Sequence, residues 1–403
     1  MTDSNQQPGL SQEEIDSVIA LFSSGQLEEA LDKVTKLIKT YSENSLLHNI
    51  SGACYAGLGQ LASAVKSYEK SIEIDPDYAK AHNNLGNVLT DLNMLNEAKE
   101  SFKNALAINP EFIEAHYSLG IVLFDLGELD EAVRSYQKAI AITPDYPALH
   151  NNLGNAYKDL GQLDEALDSY SKGLQLNPNY IDLLNNFGVI LNDLGKHDEA
   201  VKNFERAIEI KPDYAEAYNN LGVTFNKLNR SERAIQLFEK ALVINPKYAH
   251  AYNNMGNTFR SLNQLEKAVQ CLKKAIELDL NFDDAYNNLG LAFEGLELYD
   301  DAILSYKRAI SINPLFFEVH NNLGNVLAKH FKLYDEALKS LKKAIEINSN
   351  FAIAYINLGN VYKALDNLEE SLECYEKAIS IESELDNLLG TVLSTKINSC
   401  NWE

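Results

Sequence analysis

The tetrapeptide Asn-Asn-Leu-Gly returns along this chain at intervals of 34 residues or multiples of 34. It begins at Asn83, Asn151, Asn219, Asn287 and Asn321, with Asn-Asn-Phe-Gly at Asn185 and Asn-Asn-Met-Gly at Asn253. A fixed period of this size marks a solenoid, because a unit so small cannot bury its apolar face alone and must stack on its neighbours. Such a stack encloses no pocket of its own. Function is therefore expected along an extended surface rather than in a cleft.

The spacing inside the unit is helical. Within residues 79–112 the apolar and small positions are His82, Leu85, Gly86 and Leu89, then Ala98, Phe102 and Ala105, then Pro110. These are positions 4, 7, 8, 11, 20, 24, 27 and 32 of the unit. At about 100° per residue, positions 4, 7, 8 and 11 share one arc, the core face of an amphipathic helix. Positions 20, 24 and 27 mark a second helix. Gly86, with no Cβ, predicts a close helix approach there. Pro110 suits the turn between units, since it fixes φ and lacks an N–H.

This pattern resembles the tetratricopeptide repeat, and the resemblance implies an all-α, right-handed superhelix of helix-turn-helix units. Eleven units fit: 11–44, 45–78, 79–112, 113–146, 147–180, 181–214, 215–248, 249–282, 283–316, 317–351 and 352–385. Gly fills position 8 from Gly52 to Gly359, and Ala fills position 20 from Ala30 to Ala337. The first unit has Val18 in place of the glycine, and Ser371 replaces the alanine in the last. The unit 317–351 carries one extra residue near Lys329–Tyr334. Residues 1–10 read as a disordered tail, and residues 386–403 as a capping helix that begins a linker to a further domain.

Composition narrows the partners. The 58 acidic residues outnumber 35 basic ones, giving a net charge of −23. Nucleic acid requires a basic track, and anionic membrane surfaces are disfavoured for the same reason. No apolar run approaches the ~20 residues of a membrane span, and no signal peptide is visible, so the chain reads as cytoplasmic. Neutral or basic protein segments remain as partners, although acid also serves simply to keep a long scaffold soluble.

The chemistry-bearing residues point away from catalysis. Cys54, Cys271, Cys374 and Cys400 form no paired motif, so neither a disulfide framework nor a zinc site is expected. The first three read as small buried hydrophobes. His48, His82, His116, His150 and His320 all occupy position 4, which other units fill with Tyr218, Tyr252, Tyr286 and Tyr355. A position shared by His and Tyr is an aromatic packing position, not a metal site. No cofactor is expected either. There is no phosphate loop, nucleophile elbow or HExxH helix. The recurrent Asp-Glu-Ala acids, such as Asp164 and Glu165, start second helices, where capping and the helix dipole favour them.

The sharpest signal lies on the other face of the first helix. Position 6 is Asn at Asn84, Asn152, Asn186, Asn220, Asn254, Asn288, Asn322 and Asn357. Positions 9 and 13 fall on the same stripe, about 60° and 20° away. Position 9 adds Asn87, Asn155, Asn257, Asn325 and Asn360, and position 13 adds Asp91, Asp125, Asp159 and Asp193. Asn is a mediocre helix former, so propensity does not explain its return. Its amide complements a peptide backbone, with two donors and an acceptor. One reading is that the row grips extended peptides, with the aspartates favouring basic or Ser/Thr-rich segments. The other is that each Asn bonds the neighbouring repeat and keeps the stack in register. Duplication of units copies residues in either case, as Asn83, Asn151, Asn185, Asn219, Asn253, Asn287 and Asn321 at position 5 illustrate.

The tandem position-6 asparagines, with their Leu-Gly-Asn and Asp-Glu-Ala phrases, are similar to the repeat region of bacterial O-linked N-acetylglucosamine transferases. The ending Lys396 to Trp402, with its Cys-Asn-Trp, resembles the passage from repeats into the catalytic region of that family. In that family the inner asparagines hold protein substrates and an aspartate row influences their selection. The resemblance implies those roles for the eight asparagines and for Asp91, Asp125, Asp159 and Asp193. Ile50 and Ser118 interrupt the row. It also implies that the chain is the substrate-selecting arm of such a transferase, with no catalytic residue among its 403 residues. A free-standing scaffold, or an arm of a sulfotransferase or methyltransferase, is the alternative.

Overall fold

The structure is a computed structural model that describes residues 10–382. The expected N-terminal tail, apart from Leu10, and the C-terminal capping segment with Cys400 lie outside the described residues. Among the described residues the chain forms 22 α-helices, one π-helical turn and no strand. The architecture is all-α, built from helix pairs that stack in chain order, as the period requires. No helix among the described residues is long and apolar enough to cross a membrane.

One repeat shows how the sequence makes the pair. The first helix, Ala79–Asp91, buries Ala81, His82, Asn83, Leu85, Gly86, Val88 and Leu89. The second, Leu95–Ile108, buries Ala98, Ser101, Phe102 and Ala105. Gly86 and Phe102 are one device. A Cβ built on Gly86 would sit 2.7 Å from the Phe102 ring, inside van der Waals contact. The same holds for Gly120 with Tyr136 and Gly290 with Tyr306, both at 2.4 Å. The glycine therefore admits the large position-24 side chain of its own repeat. Where that side chain is Tyr, its hydroxyl needs a partner. Tyr170 donates to Asn155 Oδ1 at 2.6 Å and Tyr375 to Asn360 Oδ1 at 2.8 Å, both at position 9. Leu291 at position 9 offers no acceptor, and the Tyr306 hydroxyl donates instead to Glu294, one turn further along. Burial pushes the Glu294 carboxyl up and the Tyr306 phenol far up, while the hydroxyl bond draws the carboxyl partly back.

The turn inside each pair needs a left-handed residue at position 15. Glycine supplies it at Gly25, Gly59, Gly127, Gly161 and Gly195. Asn93, Asn229, Asn263, Glu297 and Asp366 adopt the same conformation, with φ of 56° to 64°. The N–H of the next residue closes the turn back onto the first helix, as Gln60 does to the Tyr55 carbonyl at 2.9 Å. Second helices start with acids in the first turn, among them Asp164 and Glu165. Their preceding residue makes no side-chain cap bond at Glu128, Gln162 or Leu298. The benefit of those acids comes from the helix dipole alone.

The extra residue of the unit 317–351 is absorbed as a π turn. Helix Phe317–Val326 runs into Leu327–Phe331, and Lys332 follows with φ of 56°. His330 in that turn stacks on Tyr299, with ring centroids 3.6 Å apart.

The position-4 histidines do more than pack. Nε2 of His82, His116, His150 and His320 donates to the carbonyl of Pro76, Pro110, Pro144 and Pro314, at 2.9 to 3.2 Å. Each ties the turn between two repeats to the helix that follows. The cysteines depart from expectation in part: Cys54 is buried, while Cys271 and Cys374 are only half-buried. Burial still raises both thiols, to about 11.

The helices group into two compact units divided between Asn203 and Phe204. The first is centred on residues such as Phe102, Leu123, Tyr136 and Leu153. The second is centred on Leu272, Phe293, Tyr306 and Leu341.

Candidate functional site

Within each unit the first helices of adjacent repeats touch. In the first unit Ser45–Gly57 packs on Ala79–Asp91, which packs on Ile113–Asp125, and so on to Ile181–Asp193. In the second, Ala215–Lys227 packs on Ala249–Ser261, which packs on Asp283–Gly295. Second helices of adjacent repeats stand further apart. The first helices thus lie on the tighter side of each stack, and their outward stripe carries positions 6, 9 and 13.

The position-6 asparagines occupy a fixed place on that stripe. All eight are half-buried, and the adjoining position-5 residue is buried in six of those repeats. Six of them donate an amide N–H to the position-5 Oδ1 of the preceding repeat. The bonds run from Asn84 to Asn49, Asn186 to Asn151, Asn254 to Asn219, Asn288 to Asn253, Asn322 to Asn287 and Asn357 to Asn321, at 2.8 to 3.1 Å. Asn152 meets Tyr117, the position-5 residue behind it. Position 5 returns the bond within its own repeat. Asn151 donates to Asn152 at 3.3 Å, Asn219 to Asn220 at 3.2 Å and Asn321 to Asn322 at 3.4 Å. The result is an amide relay. In the second unit it runs Asn357, Asn321, Asn322, Asn287; in the first it runs Asn185, Asn186, Asn151, Asn152.

The interruption in the row has a visible consequence. Ser118 stands where an asparagine would reach back to Asn83. The Asn83 Oδ1 is buried and has no hydrogen-bond partner among the described residues. Recurrence at position 5 is therefore not mere copying: its amide is the acceptor for six position-6 donors.

The relay does not exhaust the amides. Each carries two N–H groups. Asn254, Asn288 and Asn357 commit one to the preceding repeat, and their second N–H and Oδ1 take no further partner among the described residues. Asn322 likewise keeps one N–H. Most of the remaining stripe positions are exposed. Asn87, Asn257 and Asn360 face solvent, as do Asp91, Asp125, Asp159 and Asp193; Asn155 and Asn325 are half-buried. Asn155 accepts from both Tyr170 and Asn186, so its role is internal. Position 13 changes character between the units. The four aspartates belong to the first, and Lys227, Ser261, Gly295 and Lys329 follow in the second. The arrangement holds a row of oriented amides at the surface, with position-13 aspartates beside it in the first unit, of which Asp159 pairs with Lys158 at 3.8 Å. Among the described residues it brings together no nucleophile, base and oxyanion donor.

Family profiles described as "TPR repeat" match residues 52–93, 86–127, 122–161, 188–229, 256–296 and 333–366. Those described as "Tetratricopeptide repeat" match 147–180, 215–248, 283–316 and 352–385, and a further one 169–202 and 237–270. Together they cover more than half of the chain. No curated protein matches it. Among solved structures the chain is similar to the APC/C hetero-tetramer Cut9-Hcn1, at 14% identity over 94% of this chain and 88% of that one, with a TM-score of 0.56. It is also similar to yeast Tom70, at 14% identity over 96% of each chain, with a TM-score of 0.51. Both likenesses concern the fold. YrrB, described as a TPR protein with an unusual peptide-binding site, aligns at 28% identity over 46% of this chain and 96% of that one, with a TM-score of 0.40.

Proposed function

We propose that this chain, which belongs to the tetratricopeptide-repeat family, holds extended protein segments along the first-helix stripe. The observation that carries the reading is the half-commitment of the position-6 amides. In six of them one N–H is spent on the preceding repeat, which fixes the amide plane. The other is left at the surface of Asn254, Asn288, Asn322 and Asn357 in successive repeats. A donor oriented before binding loses little rotamer freedom when a peptide carbonyl arrives. Contacts of this kind read backbone rather than side chains. Sequence preference then falls to the neighbours: Asp91, Asp125, Asp159 and Asp193 favour basic or Ser/Thr-bearing segments on the first unit.

The narrower reading is the substrate-selecting arm of a protein O-linked N-acetylglucosamine transferase. Its support is the likeness of the Leu-Gly-Asn and Asp-Glu-Ala phrases and of the aspartate row to that family. Such an arm would deliver Ser/Thr-bearing segments to a catalytic region elsewhere.

The test must spare the relay, since removing position-6 amides also strips partners from buried acceptors. Asn87→Trp and Asn257→Trp instead obstruct the stripe at exposed positions. Peptides selected from a random library on the intact chain should lose binding to the obstructed double variant while its melting temperature holds. Undiminished binding would place the peptide surface elsewhere. Replacing the four aspartates by Lys should select against basic peptides specifically. For the narrower reading, selected Ser/Thr peptides should be better acceptors of a transferase carrying residues 11–385 than of its catalytic region alone. Equal rates would remove it.

A further inference from the structure

We propose that the groove between helices Tyr299–Ile312 and Tyr334–Ile347 is a second docking surface, fitted to an acidic amphipathic segment of a partner protein. It lies on the second-helix side of the repeats, away from the asparagine stripe, and stands independently of the peptide reading above.

The groove has an apolar floor of Ile310, Leu323 and Leu327 and a volume of about 830 Å³. The corresponding grooves in the first unit measure about 450 and 470 Å³. Its position coincides with the one irregular repeat. Leu327 opens the π turn that absorbs the extra residue, and π turns of this kind recur at functional sites. An insertion in an otherwise strict period and a groove larger than its two counterparts in the first unit are separate observations that fall on the same place.

Charge names the occupant. Lys307, Lys339, Lys342 and Lys343 rim the groove, with only Glu336 and Glu346 against them. Lys343 pairs with Glu346 at 2.9 Å, and Lys342 lies over the Tyr362 ring. Lys307 and Lys339 are exposed and make no ion pair among the described residues. The equivalent groove in the first unit, rimmed by Lys103, Arg134 and Lys138, has the first two close to Glu131 and is about half the volume. The other carries Asp164, Glu165 and Asp168. A chain of net charge −23 thus presents one widened apolar groove with unpaired lysines at its edge. The complement is a segment with an apolar face and flanking carboxylates. Helices of 14 residues on either side give the groove a length of about 20 Å, room for nearly four turns of a helix.

The experiment uses the full chain and a fluorescein-labelled amphipathic helix of Leu and Glu, with a twin in which every Glu is Lys. The Glu peptide should bind, more tightly at low salt, and the Lys twin should not. The double variant Lys307→Glu, Lys339→Glu should weaken binding about tenfold with an unchanged melting temperature, since rim charges act mainly on association. If that variant melts early, Lys307→Gln with Lys339→Gln reads the same loss without new repulsion. Equal binding of the twin, or affinity indifferent to both variants, overturns the proposal. So does binding abolished by Asn257→Trp, which would put the peptide on the asparagine stripe. Self-association sensitive to the lysine variants would also overturn it, by identifying the occupant as a second copy of the chain.

Discussion

Replacing Ser118 by Asn should stabilise the first unit. Ser118 is half-buried at position 6 and leaves Asn83 Oδ1 buried without a partner among the described residues. In six other repeats the equivalent Asn donates to the equivalent acceptor at 2.8 to 3.1 Å. An orphaned buried acceptor costs about 1–3 kcal/mol, and a formed neutral hydrogen bond is worth about 0.5–1.5 kcal/mol net. Ser and Asn have similar helix propensities. Ordering the longer side chain takes back a fraction. A net gain of about 1 kcal/mol follows, or roughly 2–4 °C for a unit of this size. Denaturant melts and hydrogen exchange would locate the gain at the junction of helices Ala79–Asp91 and Ile113–Asp125. The discriminating control is a double-mutant cycle with Asn83→Ala. Ser118→Asn should gain nothing in that background, because the acceptor is gone. An equal gain with and without Asn83, or no gain at all, would refute the claim that position 6 exists to satisfy position 5.

Three further outcomes test the packing logic. Gly222→Leu should cost about 1–3 kcal/mol as an overpacking change, because even a Cβ there would lie 2.6 Å from the Phe238 ring; protection in hydrogen exchange should fall around that repeat and hold in distant ones. Glu297→Gly should raise stability by about 0.5–1 kcal/mol in denaturant titration, since φ of 62° strains a side-chain-bearing residue and glycine relieves it. His116 has its basicity lowered, first by burial and then by Lys138, with the Pro110 bond acting the other way. A base that binds its proton less readily when folded is destabilising once the unfolded chain protonates, below about pH 6.5. His116→Tyr, the residue found at this position in other repeats, should therefore lose less stability than the native chain as pH falls from about 6.5 to 5. Parallel melting curves over that range would sink the idea.

Much of this protein was readable from one dimension. The period fixed the number of neighbours each helix has, and positions 7, 8, 11, 20, 24 and 27 fixed which face they share. That succeeds because contacts in a stack are local, so a pattern within one unit states its own packing. The position-4 His/Tyr alternation was recognisable as packing for the same reason. The donation from His116 to the Pro110 carbonyl was not, since a backbone acceptor leaves no mark in residue identity. Position 15 was missed as well: glycine signals the left-handed turn at Gly127, but Glu297 gives no such signal and takes that conformation only because its flanking helices impose it.

The asparagines show where the boundary falls. Sequence alone returned Asn at both positions 5 and 6 and offered both ligand contact and inter-repeat bonding, favouring the first. The packed first helices show which N–H groups are spent between repeats. They bring Asn254 to Asn219, 35 residues earlier, and bury one amide of the pair while leaving the other at the surface. Periodicity records which residue types return. It does not record the one-residue offset between donor and acceptor, which depends on how far one helix is rotated against the next.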